Sequence, residues 1–419
     1  MTMRRAVVLI LDGLRRDFVT PELMPHLASF RSTATWFDGH RSVFPSVTRC
    51  VSACFATGCL PARHGLQANT MVLQEPHGQV LHDAGEPGFL DHRRRVTGRS
   101  LDVPTLAERL AGQGGSVIMG NVSPGATYAH DPDRFGFLHH RVGSFAPGGE
   151  ALSDGFDSLR PDLAGDAAMV DRFITEVLFG RQPALAQLWT AEPDHAQHMM
   201  ELGSPAHLAL LRRVDAHAGL VIEAVERLRA AGEDVLLLIG SDHGHQTVDG
   251  VVDVAAELAA VLPEAAEAVT VAANGTAALV YVDPARPDLI AGLRAALPQA
   301  AWVDRVVGPD GLAEVGHSTA NGLAFLIGMR SSEETNAHGV PGLSLVAKPH
   351  VGKADRLGFG QHGGVGRWEQ SPVLLVQGDG FAAGSVRQEP TSVIDAAPTI
   401  LRHLGMPADG MDGRALQAG

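Results

Sequence analysis

The chain has 419 residues, of which 45% are hydrophobic and 19% charged; this balance excludes a mostly disordered protein and suits one large α/β domain or a core with a smaller second domain. A formal net charge of −14 argues against a nucleic-acid duplex or an anionic membrane surface as partner. A small anionic substrate stays open, because a bound cation can be the largest local charge in a site.

The first predicted element is the apolar run Ala6–Leu11, which reads as a strand buried on both faces, as in a parallel sheet. The preceding Met1-Thr2-Met3-Arg4-Arg5 has the charge of a signal-peptide start, but the apolar run is too short for one and stops at Asp12. No other stretch approaches about 18 uncharged apolar residues. The expectation is a cytoplasmic protein that does not span a membrane.

A helix is predicted over Val51–Thr57, stopped by Gly58. Around it lie the three cysteines, Cys50, Cys54 and Cys59. An odd, clustered set is a poor disulfide framework and points to a reducing compartment. They could ligate a metal, but small buried side chains one helical turn apart are the stronger reading. Met71 to Gly98, rich in His, Arg, Gly and Pro, is expected to be an irregular excursion near the site. Val117–Met119 is a weaker strand. Ala206–Ala231 has apolar residues at helical spacing and a stop at Gly232. Val235–Ile239 and Val373–Val376 repeat the buried-strand pattern, and Ile394–Leu404 reads as a late helix.

Strands alternating with helices predict an α/β fold with a mostly parallel central sheet flanked by helices. Residues 251–345 break this rhythm: Thr276–Val282, Pro287–Leu297 and Leu323–Ile327 suggest a β-α-β unit. The expected organisation is a catalytic core, 1–250 and 346–419, with a small inserted α+β cap over 251–345.

Polar residues follow the buried strands. The first ends in Asp12-Gly13, and the Val235–Ile239 run leads into Ser241-Asp242-His243-Gly244-His245. Open α/β sheets bind ligands at the carboxyl ends of their strands, so carboxylates and imidazoles reach one edge. In Glu192-Pro193-Asp194-His195-Ala196-Gln197-His198, Asp194 and His198 are one helical turn apart. Such a pair suits a zinc-like ion, although surface pairs of this spacing are frequent; His195 is expected to be a bystander. His362 lies in the glycine-rich Phe359–Gly364 loop. Gly358, Gly360 and Gly363 match a dinucleotide pattern, which is rejected because no buried strand leads into it. Thr48 sits at a helix start, as an ordinary N-cap or as a metal-activated hydroxyl aimed at an anion over the helix N-terminus.

Taken together, the set resembles the type I phosphodiesterase and nucleotide pyrophosphatase branch of the alkaline phosphatase superfamily. The likeness rests on Leu11-Asp12-Gly13, on Thr48 followed by Thr57-Gly58 and His64-Gly65, on Glu192-Pro193-Asp194 with His198, on Ser241-Asp242-His243-Gly244, on His362-Gly363 and on the late Ile394–Ile400 helix. It implies an alkaline phosphatase-like core and two divalent ions, expected to be Zn²⁺. One would be held by Asp194, His198 and His362, the other by Asp12, Thr48, Asp242 and His243. It further implies Thr48 as nucleophile and Asn69 as a contact to the phosphoryl oxygen. Gln197 and His245 depart from the usual glycine and methionine. Arg49 is a further departure; a cation in the first helical turn opposes the helix dipole, so its counter-charge is either a substrate phosphate or a nearby carboxylate.

The expected partner is a small phosphate ester or phosphonate, hydrolysed through a phospho-threonine. A phosphonoacetate hydrolase or a phosphomonoesterase is the alternative within the fold. That first enzyme type uses lysines, and the only two here, Lys348 and Lys353, fall outside the expected region. A non-catalytic metal- or nucleotide-binding protein is the alternative of another class. Oligomeric state is left open.

Overall fold

The computed structural model describes residues 4–350 and 353–418. Its core is a ten-stranded sheet among the described residues. The middle of the sheet consists of β1 (Arg4–Leu11), β2 (Ser116–Gly120), β3 (Leu185–Thr190) and β4 (Asp234–Gly240), in spatial order β4-β1-β3-β2 and all parallel. Antiparallel strands join at both edges, among them Leu374–Gln377 beside β4. The mostly parallel sheet with helices on both faces is the expected α/β architecture.

β1 shows why the run is continuously apolar. Val7, Leu9 and Leu11 face one buried cluster; Ala6, Val8 and Ile10 face another on the opposite side. Period-two alternation therefore serves two cores at once. The first face is covered by the Pro205–Ala230 helix, capped by Ser204, whose hydroxyl accepts from the His207 N–H. The second is covered by Ala396–His403, entered through a capping box of Ser392 and Asp395. No helix among the described residues is long and apolar enough to cross a membrane.

Two segments differ from expectation. Met71–Gly98 is not irregular: Thr70–Glu75 and Gly78–Asp83 form an antiparallel hairpin, followed by the helix Phe89–Thr97. The Pro76-His77-Gly78 turn, with Gly78 at φ 125°, reverses the chain, and a polar, half-exposed second strand hides the periodicity. Within 251–345 the expected strands and helix exist, but Ala277–Val282 and Leu323–Met329 pair antiparallel. They lie inside a four-stranded sheet that also contains Val269–Asn274 and Val303–Val307.

Candidate active site

β1, β3 and β4 carry their polar sequels to one edge. Asp12 follows β1 and is 1% exposed. Its Oδ2 accepts from Trp189 Nε1 at 2.9 Å. Asp242 follows β4, and its Oδ1 accepts from the Gly13 N–H at 3.0 Å. The other oxygen of each, Asp12 Oδ1 and Asp242 Oδ2, is buried and has no hydrogen-bond donor. His243 Nε2 lies 3.6 Å from the first and 3.0 Å from the second. Two orphaned carboxylate oxygens beside an imidazole nitrogen are costly unless a cation joins them. Burial, with Asp242 and Asp194 close by, pushes the Asp12 carboxyl well above its usual range.

A second group adjoins the first. Asp194 Oδ1 lies 3.3 Å from His198 Nε2 and 3.6 Å from His362 Nε2. Burial works against the Asp194 carboxylate, but His198, His245 and His362 outweigh it and hold its carboxyl well below the usual range. Burial lowers His198 to about 3 and holds His362 well below its usual value, so both rings are neutral near pH 7.

The tautomers agree across the site. Nδ1 donates to a backbone carbonyl in His198 (Gly360, 2.9 Å), His243 (Gly244, 3.1 Å) and His362 (Ser46, 2.8 Å). In the neutral ring each Nε2 is then left with its lone pair toward the centre, which is how metal-binding histidines are oriented. The residues thus fit divalent ions. The geometry needs Gly13 at φ 69°, since a Cβ there would lie 2.8 Å from His245 Nε2.

Thr48 is the first residue of α1 (Thr48–Thr57), three residues earlier than the predicted helix start. The N-cap is Val47, and no side chain caps the helix, so Thr48 is not an ordinary capping threonine. Its Oγ1 lies 3.2 Å from His243 Nε2 instead. Asn69 Oδ1 accepts from the Arg49 N–H at 2.8 Å, which turns the amide NH₂ away from that contact. Thr48, Arg49 and Asn69 line one cleft of about 540 Å³ with Asp12, Asp194 and His362.

The family model for type I phosphodiesterase / nucleotide pyrophosphatase matches residues 6–301. The chain belongs to that family. It is a hydrolase of the phosphodiesterase and nucleotide pyrophosphatase type, in a family that typically depends on divalent metal. Its fold is similar to murine ectonucleotide pyrophosphatase / phosphodiesterase 5, with TM-score 0.67, 18% identity and coverage of 98% of this chain and 97% of that one. An inactive threonine-to-alanine variant of the same murine protein, in complex with AMP, matches at 17% identity with the same TM-score of 0.67. No curated protein matches the chain in sequence.

Several features of this family member were not visible beforehand. His245 Nε2 lies 2.8 Å from Asp194 Oδ1 and inside the cluster; its place in Ser241–His245, after a buried strand, was the available signal. Gln197 is buried and links the Gly13 carbonyl (3.0 Å) to His207 (3.1 Å). His195 lines the cleft, outside the donor cluster, with Nδ1 3.5 Å from Glu192 Oε1. Lys353, set aside on its sequence position, lines the same cleft as Thr48 and ion-pairs with Asp83. Burial pushes the Asp83 carboxyl up, but Arg49 and Lys353 outweigh it and lower it. The Arg49 guanidinium packs over Gly85, and its buried Nε has no acceptor. The three cysteines are free and buried.

Proposed function

We propose that this chain is a two-metal phosphodiesterase or nucleotide pyrophosphatase working through a phospho-threonine at Thr48. The observation that carries the reading is the Thr48 hydroxyl: it stands at the N-terminus of α1, 3.2 Å from His243 Nε2, beside the orphaned oxygens of Asp12 and Asp242. Asp194, His198 and His362 would hold one ion; Asp12, Thr48, Asp242 and His243 the other, with zinc suited to these N and O donors. Such ions, when bound, acidify a hydroxyl and offset the charge of an in-line displacement.

The chain's own groups do the rest. Thr48 Oγ1 forms the bond to phosphorus as the bond to the leaving oxygen breaks. Asn69 donates its amide NH₂ to the phosphoryl oxygen, its Oδ1 held by the Arg49 N–H. The positive end of the α1 dipole adds to the attraction for the same anion. Water then attacks phosphorus, and Thr48 Oγ1 leaves and regains its proton. His245 acts as a positioning residue, donating to Asp194. Residues 251–345 serve as a cap, whose Asn274-Gly275 turn lines the cleft.

The AMP complex of the murine relative makes nucleotides the first substrates to try. A second reading, a phosphonoacetate-type hydrolase or a monoesterase, is favoured by Arg49 and Lys353 around the single carboxylate of Asp83. Those two cations fit a substrate with a second negative group. Metal-loaded protein assayed on bis-p-nitrophenyl phosphate, p-nitrophenyl phosphate, nucleotides and phosphonoacetate separates the readings. Diester turnover that vanishes in Thr48→Ala supports the main one; near-normal turnover in that variant rejects it.

A further inference from the structure

A second group of metal-type donors lies outside the catalytic cleft. Glu75 closes the first strand of the hairpin, His82 lies on the second, and His92 is in the helix Phe89–Thr97. His82 Nε2 and His92 Nε2 both approach Glu75 Oε1 at 2.8 Å. The three donor atoms lie within 4.8 Å of one another, and the two rings are 4.8 Å apart between centroids.

We propose that Glu75, His82 and His92 form a third metal site, for a zinc-type divalent ion. Two imidazoles and one carboxylate are the donor set of an open tetrahedral site, with water in the fourth position. Metal–ligand bonds of about 2.0–2.2 Å place such donors roughly 3.3 Å apart. The two nitrogen–oxygen contacts therefore need to open by only about half an ångström, within reach of side-chain rotation. Side-chain exposures of 20–31% leave an entry path for the ion and room for water.

The ion would clamp the hairpin to the following helix. That helix is anchored from its other side by Arg93, which donates to Asp102 at 2.7 Å and to the Ser100 carbonyl at 3.0 Å. The hairpin in turn begins directly after Asn69 and ends at Asp83, two residues of the cleft lining. A cross-link here steadies the base that carries Asn69. The site stands independently of the catalytic assignment, since none of its ligands belongs to the cleft.

Zinc content after titration against a chromophoric chelator tests the site, in wild type and in His82→Gln/His92→Gln. The expected result is one zinc equivalent fewer in the double variant, at unchanged metal-free melting temperature. A second comparison uses Asp12→Asn/Asp194→Asn, which removes proposed catalytic ligands: one tightly bound zinc should remain and should vanish when His82 and His92 are also replaced. Backbone amide exchange over 70–83 should slow on adding zinc to wild type and not to the double variant. Equal zinc content in wild type and His82→Gln/His92→Gln, with no zinc effect on hairpin exchange, would overturn the proposal and leave a hydrogen-bonded cluster only.

Discussion

Asp166 gives a prediction whose magnitude follows from its surroundings. Its carboxylate is buried and accepts from Asn121 Nδ2 at 2.8 Å, from the Ala191 N–H at 3.0 Å and from the Glu192 N–H at 2.9 Å. The last two belong to the turn that leads from β3 into Asp194, so Asp166 fixes the approach to a proposed metal ligand. Burial raises its pKa from 3.8 to about 7, against the three donors that lower it. A carboxyl raised in the folded state binds its proton more tightly there than in the unfolded chain. Its contribution to stability is therefore full below pH 3.8 and falls as pH climbs toward 7. At about 1.36 kcal/mol per unit, wild type should lose roughly 2 kcal/mol relative to the neutral isostere Asp166→Asn between about pH 5.5 and 8. Urea melts of the two proteins, both freed of metal, read this difference, and groups common to both cancel. The amide also sets an NH₂ against the Glu192 N–H, so metal affinity should drop about 10- to 100-fold. A stability difference that is flat from about pH 5.5 to 8 would refute the reasoning and show that the three donors keep Asp166 ionised throughout.

Other perturbations probe the cleft directly. Thr48→Ala should cut diester turnover by roughly a thousandfold or more at nearly unchanged melting temperature, whereas Thr48→Ser should retain measurable activity in the same assay. Asn69→Ala should lower kcat by about 10²–10³, and a change confined to KM would remove its role at the phosphoryl oxygen. Arg49→Ala should slow the doubly charged monoester more than the singly charged diester if the guanidinium meets substrate; equal losses with a lower melting temperature would assign it to Asp83. Elemental analysis of the Asp12→Asn and Asp194→Asn variants should each show about one metal equivalent fewer than wild type, and unchanged content in both would remove the proposed ligand sets.

The core was legible because a strand buried on both faces must be apolar throughout, and β1 and β4 announce themselves that way. The cluster followed from the same logic: Asp12 and Asp242 directly after such strands are expensive without partners, and the fold brings them to one edge. β3, which precedes Asp194, was harder, since Gln187 interrupts its short apolar run. The Thr70–Asp83 hairpin was missed because its second strand is half-exposed and polar, leaving no alternation to read. Lys353 shows the limit of spacing arguments: its distance along the chain from Thr48 says nothing about its place in the lining of the same cleft. Arg49 is the opposite case. Its conflict with the helix dipole called for a nearby anion, and Asp83 stands beside it.

The stereochemical course at phosphorus tests the central claim most directly. Each in-line displacement inverts the phosphorus centre. Attack by Thr48 followed by attack of water on the phospho-threonine makes two inversions. A chiral phosphorothioate diester, hydrolysed in isotopically labelled water, should therefore give a product with net retention. Net inversion would mean that water attacks the substrate in one step and would contradict Thr48 as the nucleophile.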